Sequence, residues 1–166
     1  MDAETFDAFY AGSFGRVVGQ VYAMCGDLAE AQDCTQEAFV RAWDRRRALE
    51  HAQSPEAWVR TVAWRLAVSR WRRARLALRP PDRARGPRLT SPEPDVAHTA
   101  LVAALRQISP DQRRAIVLHH LCDRSVAEIA AETGAPVGTV KARLSRGRAA
   151  LAVLLGEPYE EENSHA

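Results

Sequence analysis

The stretch that decides the fold reads SVAEIAAET at residues 125–133, GAP at 134–136 and VGTVKARLSRGRAALAVLL at 137–155. A short helical segment, a turn containing glycine and a longer helical segment are typical of a helix-turn-helix. In the longer segment, one set of apolar or small residues recurs at spacings of 4, 3 and 4, which places them on one side of an α-helix. These inward positions are Val140, Leu144, Gly147 and Leu151. The sequence therefore predicts a helix-turn-helix that ends in a helix over residues 137–155.

The opposite side of that last helix is predicted to be small and basic. Residues 136–156 contain four cations and no acidic residue. A narrow outer face flanked by cations suits the major groove of DNA, where side chains reach base edges and phosphates. The best candidates for DNA contact are Gly138, Thr139, Lys141, Arg143, Ser145 and Arg146. The alternative is a helical hairpin whose basic face is merely solvated.

Two further helices are predicted immediately before the helix-turn-helix. The apolar face of the first comprises Ala100, Leu101, Ala104, Leu105 and Ile108. The second begins at Ser109-Pro110, a capping residue followed by proline at the first helical position, and carries Ile116, Val117, Leu118 and Leu121. Residues 97–155 therefore form one helical domain, and an acidic tail follows at 156–166.

The first 75 residues also have helical periodicity. Aromatic and β-branched residues at spacings of three and four between residues 6 and 22 predict an amphipathic helix. Asp27 and Glu30 have the spacing of a capping box that opens a second helix. The apolar stripe of this second helix comprises Ala31, Cys34, Thr35, Ala38, Phe39 and Ala42.

A third long helix is predicted at about 56–75, after a loop at 44–56. Ser54 can cap this helix and Pro55 can occupy its first position. One face is predicted to carry Trp58, Val62, Leu66 and Ser69, while arginines line much of the rest.

The two helical regions are separated by residues 76–96, which contain five prolines. Such a segment cannot continue a helix or build a core, so we expect a basic, extended linker. The sequence therefore predicts an all-α chain with two small helical domains, 1–75 and 97–155, joined by that linker.

Charge is strongly segmented along the chain. Residues 1–50 carry a net charge of −4, residues 51–90 carry +8, residues 91–135 carry −2, residues 136–156 carry +4, and the tail from residue 157 carries −4. Two separate basic blocks indicate two contacts with a polyanion. All but one of the cationic residues are arginine, which suits phosphate and guanine recognition, although a GC-rich genome explains the same composition.

Several classes of protein are disfavoured by the residues present. The five histidines have no metal-ligand spacing, and no phosphate-binding glycine loop or nucleophile elbow occurs, so we expect no enzyme, no cofactor and no metal. The three cysteines are odd in number and form no C-x-x-C pair, which favours buried thiols in a reducing compartment. No apolar run reaches the roughly 20 residues of a membrane span, and the N-terminus lacks the basic region of a signal peptide, so we expect a cytoplasmic location without membrane insertion.

The second predicted helix contains the first of several motifs that occur together in a known family. Residues 33–43 read D-x-x-Q-E-A-F-x-R-A-W, and a tryptophan-led basic helix, a proline-rich linker and the helix-turn-helix follow in that order. Together these features resemble the extracytoplasmic-function (ECF) sigma factors over about residues 5–155. The resemblance implies a factor that binds bacterial core RNA polymerase, recognises the −10 and −35 promoter elements and helps to melt the DNA.

The resemblance also implies roles for individual positions. It assigns Asp33, Gln36, Glu37 and Arg41 to binding of polymerase, through the coiled coil of the β′ clamp, with the β subunit as a further contact. The loop at 44–56 would capture a flipped base of the −10 element. The −10 contacts on the following helix would be Arg60, Trp64, Arg65, Arg72 and Arg73, and the last helix would read the −35 element.

The chain departs from the family pattern in the basic helix. Many relatives carry Asn and Asp where this sequence has Arg65 and Ser69, so their −10 sequence preference does not transfer. An anti-sigma factor is a regulator often found in the family, but the sequence names neither that partner nor the promoter, regulon or inducing signal. The main alternative is a dimeric helix-turn-helix regulator that does not join the polymerase, and a protein that sequesters a sigma factor is a third.

Overall fold

The structure, a computed structural model, describes residues 1–77 and 96–156, with the side chains of the second range described from residue 100 onward. The regular elements in these residues are all helices, in agreement with the predicted all-α class. The chain divides into two compact units, Met1–Pro94 and Asp95–Ala166. Most of the predicted linker at 76–96 and nearly all of the predicted tail at 156–166 lie outside the described residues.

The first unit contains three long helices that pack against one another. They are α1 (Ala3–Cys25), α2 (Leu28–Asp44) and α4 (Pro55–Leu76), with a short α3 (Arg46–Leu49) in the region predicted as a loop. Each long helix begins at a capping side chain, because the first backbone N–H groups of a helix have no partner within it. The caps are Asp2, Asp27 and Ser54, and Pro55 occupies the first turn of α4 as predicted.

The apolar stripe predicted for α2 is confirmed. The buried residues of α2 are Ala31, Cys34, Thr35, Ala38, Phe39 and Ala42. Phe39 contacts the aromatic residues of α1, with ring centroids 5.4 Å from Phe9 and 5.0 Å from Tyr10. Aromatic contacts therefore form one end of the α1–α2 interface.

The apolar face predicted for α4 is wrong by about one residue. The buried residues are Val59, Ala63 and Ala67, together with Arg60, whereas the predicted Trp58, Val62, Leu66 and Ser69 are only half-buried. Alanine allows α4 to lie close to the neighbouring helices, so small residues occupy the centre of this interface.

The second unit contains α5 (Val96–Leu105), α6 (Pro110–His120), α7 (Val126–Thr133) and α8 (Val137–Leu155). Ser109 caps α6, as predicted, and Ser125 caps α7 in a complete capping box with Glu128. The α5 face differs in part, because Val102 is buried while the predicted Ala100 is exposed. Gly134 joins α7 to α8 with φ +70°, a left-handed conformation that glycine adopts without a steric penalty.

The core of the helix-turn-helix is confirmed residue by residue. Val140, Leu144, Gly147 and Leu151 are the buried residues of α8. At Gly147 the helix comes so close to α6 that a Cβ atom would lie 2.9 Å from Cγ1 of Ile116. Glycine is therefore needed for packing in the middle of a helix that it would otherwise weaken.

Candidate nucleic-acid and protein interfaces

The outer side of α2 brings together the four residues predicted to contact polymerase. Helical spacing places Asp33, Gln36, Glu37 and Arg41 on one side of the helix. Gln36 and Arg41 are exposed, while Asp33 and Glu37 are half-buried. Val40, which is not among the predicted contact residues, is 61% exposed between them. Its position seven residues after Asp33 was the available signal.

Glu37 is held by two arginines, one from its own helix and one from α4. One carboxylate oxygen accepts from Nη2 of Arg41 at 2.7 Å, and the other accepts from Nη2 of Arg70 at 2.8 Å. Arg70 also donates through Nη1 to Glu30 at 3.3 Å. Arg70 is one of the arginines that line α4, and its side chain spans the gap to α2.

The prediction that Arg60 contacts DNA is wrong. Its side chain lies in the core of the first unit, 2% exposed, and Nη1 donates to Oε1 of Gln20 on α1 at 3.2 Å. A buried guanidinium must be hydrogen-bonded within the protein, and it cannot reach DNA without leaving that site. Nearby, Arg16 of α1 forms a bidentate contact with Glu56 and lowers the pKa of that carboxyl by hydrogen bonding.

The remaining predicted −10 residues lie on the outside of α4. Arg65, Arg72 and Arg73 are exposed, and Trp64 is half-buried. No acidic residue follows Glu56 in this helix. Trp71, which is not among the predicted contact residues, is 58% exposed. The outer surface of α4 is therefore basic and includes an accessible aromatic side chain.

The predicted DNA-reading side of α8 is largely exposed. Gly138, Thr139, Lys141, Ser145 and Arg146 are all exposed. Arg143 is half-buried, because Nη2 donates to Oδ2 of Asp111 on α6 at 3.3 Å. Of these residues, Thr139 and Arg143 border a cleft of about 310 Å³ between α6, α7, the turn and the start of α8, and Arg114 lines it as well.

Arg148, on the flank of α8, contacts a histidine of α6. Its Nε donates to Nε2 of His120 at 3.2 Å. The side chain of His120 is exposed, but its partial desolvation lowers the pKa, and the neighbouring Arg148 and His119 lower it further. A neutral imidazole can accept this hydrogen bond, whereas an imidazolium cannot.

The described residues offer little for chemistry other than binding. Within residues 1–77 and 96–156 no group of His, Cys, Asp or Glu could hold a metal ion, and no helix there is both long and apolar enough to cross a membrane. Cys34 is buried, Cys25 and Cys122 are half-buried, and all three are free thiols. Burial raises the pKa of Cys25 to about 11, which keeps that thiol protonated and poorly nucleophilic at neutral pH.

Comparison with known proteins assigns both units to one family. Residues 10–77 match Sigma-70 region 2, and residues 98–151 match Sigma-70 region 4. The chain is 32% identical to the ECF RNA polymerase sigma factor SigL of Mycobacterium tuberculosis over 142 residues, which cover 81% of this chain and 79% of SigL. The chain belongs to the ECF sigma factor family. This family directs RNA polymerase to promoters and is not enzymatic.

Two further comparisons are consistent with this ECF sigma factor assignment. The chain is 32% identical to ECF RNA polymerase sigma factor SigE of Mycolicibacterium smegmatis over 88% of its own length, and it spans 60% of the length of SigE. The fold is similar to the sigma factor RpoE from Bartonella quintana, solved in complex with the anti-sigma factor NepR. That likeness has a TM-score of 0.76 and 24% identity, and it covers 93% of this chain and 98% of RpoE.

Proposed function

We propose that this ECF sigma factor binds core RNA polymerase through α2, contacts the −10 element through α4 and reads the −35 element through α8. Residues 1–75 would supply the polymerase and −10 contacts, and residues 97–155 the −35 contacts. The α2 surface would meet the coiled coil of the β′ clamp, with the β subunit as a further contact. The site of action would be the cytoplasm, where promoter DNA and polymerase meet.

The observation that carries the proposal is the exposed basic surface at the start of α8. Lys141 and Arg146 are exposed on a helix that contains no acidic residue, and Gly138 leaves space for close approach of DNA. The first backbone N–H groups of α8 can also meet a phosphate, because Pro136 at the N-cap forms no side-chain cap. A helix-turn-helix presents such a surface to the major groove.

The α2 surface supports a different kind of contact. It combines carboxylates with the exposed apolar side chain of Val40, a mixture suited to a protein partner with basic side chains. The ion pairs of Glu37 with Arg41 and Arg70 hold its carboxylate in place, while its side chain remains 38% exposed. Less side-chain freedom would then be lost when the partner binds.

For the −10 contact, we propose Arg65, Arg72 and Arg73 as phosphate-binding residues, with Trp64 beside them. Arg60 is excluded by its burial. An anti-sigma factor is a further proposed partner, supported by the fold shared with RpoE, which was solved with NepR.

Charge reversal separates the two interfaces. Arg146→Glu, alone and with Arg143→Glu, should abolish promoter-dependent run-off transcription and leave co-purification with core polymerase unchanged, because the change lies on the proposed DNA side of α8. Asp33→Ala with Glu37→Ala should weaken polymerase binding first. Arg106→Glu, an exposed charge reversal in the same unit but outside α8, serves as the control.

The outcomes discriminate between the proposal and its alternatives. If the α8 reversals released polymerase while DNA binding persisted, the two-interface assignment would be wrong. A dimeric regulator that never joins polymerase would fail to co-purify with the core enzyme in any variant, whereas a sigma factor should co-purify at near-equal stoichiometry.

A further inference from the structure

One cation on the proposed DNA-reading side of α8 is tethered to another helix. Arg143 donates from Nη2 to Oδ2 of Asp111 on α6 at 3.3 Å, and only 28% of the Arg143 side chain is exposed. Lys141 and Arg146 are exposed, and neither pairs with an acidic side chain within residues 1–77 and 96–156. The contact with Asp111 therefore distinguishes Arg143 from the other two cations.

The carboxylate that holds Arg143 is itself positioned by the start of α6. Ser109 caps this helix, Pro110 occupies its first turn, and Asp111 follows in the same turn. A carboxylate is favoured there because the N-terminus of a helix carries a partial positive charge. Asp111 and Arg143 both line the cleft beside the start of α8, so the pair lies at the edge of the proposed DNA-reading side.

The contact with Asp111 leaves Arg143 able to read a base. A guanidinium carries its N–H donors in one plane, and Nη2 carries two of them. Whichever of these two Asp111 engages, one edge of the guanidinium with two nitrogens remains. Such an edge matches O6 and N7 of guanine in the major groove, which is the commonest specific contact of arginine. Because Asp111 holds the side chain, less rotamer freedom is lost when the base is bound.

The same carboxylate disfavours contacts of Arg143 with the DNA backbone. The side chain of Asp111 is 73% exposed, so its charge repels a phosphate that approaches Arg143. An arginine without such a neighbour can bind a phosphate at any sequence, and phosphate contacts carry no sequence information. Specificity depends on the difference in affinity between right and wrong partners, so a repulsive group can increase it.

We propose that Asp111 is a positioning residue that makes Arg143 selective for a guanine in promoter DNA. It holds the guanidinium ready for the base and opposes binding of Arg143 to phosphates at other sequences. This inference rests on the proposed DNA contact of α8, and it names a residue outside α8 on which the sequence preference of that helix depends.

The test uses holoenzyme assembled from the full chain and core RNA polymerase. Duplexes of random sequence are selected by binding and sequenced, and the position that loses its guanine preference in Arg143→Ala is the base pair read by Arg143. Discrimination is the ratio of the affinities for the selected duplex and for the same duplex with A·T at that position. Arg143→Ala should reduce this ratio about 5- to 150-fold. Asp111→Ala should reduce it about 2- to 13-fold, the cost of ordering one flexible side chain, and should tighten binding to the A·T duplex.

Matched substitutions separate this role from net charge and from folding. Asp111→Glu keeps the carboxylate and should retain most of the discrimination, whereas Asp111→Asn should lower it. Asp123→Asn removes the same charge from an exposed residue between α6 and α7, where φ is +51° and Asn is tolerated like Asp, and it should leave discrimination unchanged. Adding Asp111→Ala to Arg143→Ala should lower the ratio no further, because Asp111 acts through Arg143. Circular dichroism of each variant checks that the helix content is unchanged.

Three results would overturn the role of Asp111: unchanged discrimination in Asp111→Ala, an equal loss in Asp123→Asn, or a further loss when Asp111→Ala is added to Arg143→Ala. If Arg143→Ala loses no guanine preference, the inference also fails. If the double variant Arg143→Ala, Arg146→Ala leaves the whole selected sequence unchanged as well, the proposed reading of DNA by α8 fails. If Arg143→Ala loses a guanine preference and Asp111→Ala keeps it, only the role of Asp111 fails.

Discussion

The two long basic helices, α4 and α8, use their cations differently. In α4, Arg60 is buried in the core and Arg70 bridges to α2, so two of its arginines are committed to holding the first unit together. In α8, Lys141 and Arg146 are exposed, and Arg143 and Arg148 contact α6 at the edge of the surface. The difference is therefore one of depth: α4 buries Arg60 in the core of its unit, whereas no cation of α8 is buried, and each helix also keeps exposed cations such as Arg72 and Arg146.

This difference shows why a count of basic residues overstates a DNA-binding surface. The long aliphatic stem of arginine packs well against apolar neighbours, and its planar head can satisfy buried acceptors. A helix that packs on two neighbours, as α4 does on α1 and α2, offers such acceptors on its inner side. Charge becomes available to DNA only where the helix faces away from those neighbours.

The largest expected effect follows from the buried arginine of α4. Arg60→Ala should lower the free energy of unfolding of the first unit by about 2–4 kcal/mol, because it leaves a cavity and removes the donor to Gln20. Arg72→Ala, on the exposed side of the same helix, should change that free energy by no more than about 0.5 kcal/mol. Urea unfolding followed by tryptophan fluorescence reports on this unit alone, since all four tryptophans lie within residues 43–71.

In DNA binding, the order of the two variants should be reversed, with the direct effect in Arg72→Ala. Arg72→Ala should weaken binding to promoter fragments, while any loss in Arg60→Ala should follow its loss of folded protein. If Arg60→Ala were as stable as the wild type and yet bound DNA poorly, Arg60 would belong to the DNA surface after all.

A matched pair of glycines tests the packing of α8. Gly147→Ala should destabilise the second unit by about 1–2 kcal/mol, because the overpacking cost against Ile116 exceeds the gain in helix propensity. Gly138→Ala meets no atom within 4 Å and should leave the unit as stable or slightly more stable.

Unfolding of both glycine variants is followed by circular dichroism. The second unit is seen as the part of the helical signal that remains after the change in tryptophan fluorescence has reported unfolding of the first unit. Equal stability of the two variants would mean that α6 and α8 do not approach closely at Gly147. If Gly138→Ala leaves the stability of the unit unchanged, any effect of this variant on DNA binding reflects the DNA contact itself.

The contrast between the helices also explains what the sequence could predict. In α8 the inner positions are large aliphatic residues broken by one glycine, so the 3.6-residue period was unambiguous, and all four inner residues were predicted correctly. In α4 the inner positions are mostly small, and the conspicuous Trp58 is only half-buried. Hydrophobic size, which guided the prediction, selected a face that is offset by about one residue from the buried face of the helix.

Contacts between residues far apart in the sequence could not be predicted from periodicity. The α2 stripe was predicted in full, as were the caps at Ser54 and Ser109. The bridge from Arg70 to Glu37 joins residues 33 positions apart, and its existence depends on how α2 and α4 cross. Family motifs identified the surfaces, but only the packed helices show which charges remain available on them.

A smaller effect is expected from the bridge between α4 and α2. Arg70→Gln and Glu37→Gln should each destabilise the first unit, and the double variant should reveal a coupling of about 0.2–1 kcal/mol, the range for partly exposed ion pairs. Urea unfolding of the wild type, the two single variants and the double variant, followed by tryptophan fluorescence, measures this coupling. The coupling should shrink at high salt, because the pair is reached by solvent. Strict additivity of the two substitutions would show that the bridge contributes nothing in solution.

The smallest expected effect is a pH dependence confined to the second unit. The pKa of His120 is lowered from its ordinary 6.5, chiefly by partial desolvation and then by Arg148. The unfolded chain therefore takes up this proton first, and the stability contributed by the neutral His120 is present above about pH 6.5 and is lost as the pH falls below it. Protonation also removes the acceptor for Nε of Arg148, which should loosen the flank of α8.

Unfolding at about pH 7.5 and about pH 5.5, on either side of the ordinary histidine pKa, measures this effect. His120→Gln should abolish the difference for the second unit, since it cannot take up a proton. The first unit serves as an internal control, because the pKa of Glu56 is lowered from 4.5 by Arg16 and its stabilising charge persists throughout this range. A pH effect that survives His120→Gln would locate the titrating group elsewhere, and an equal effect on both units would mean that α8 is no more sensitive to acid than α4.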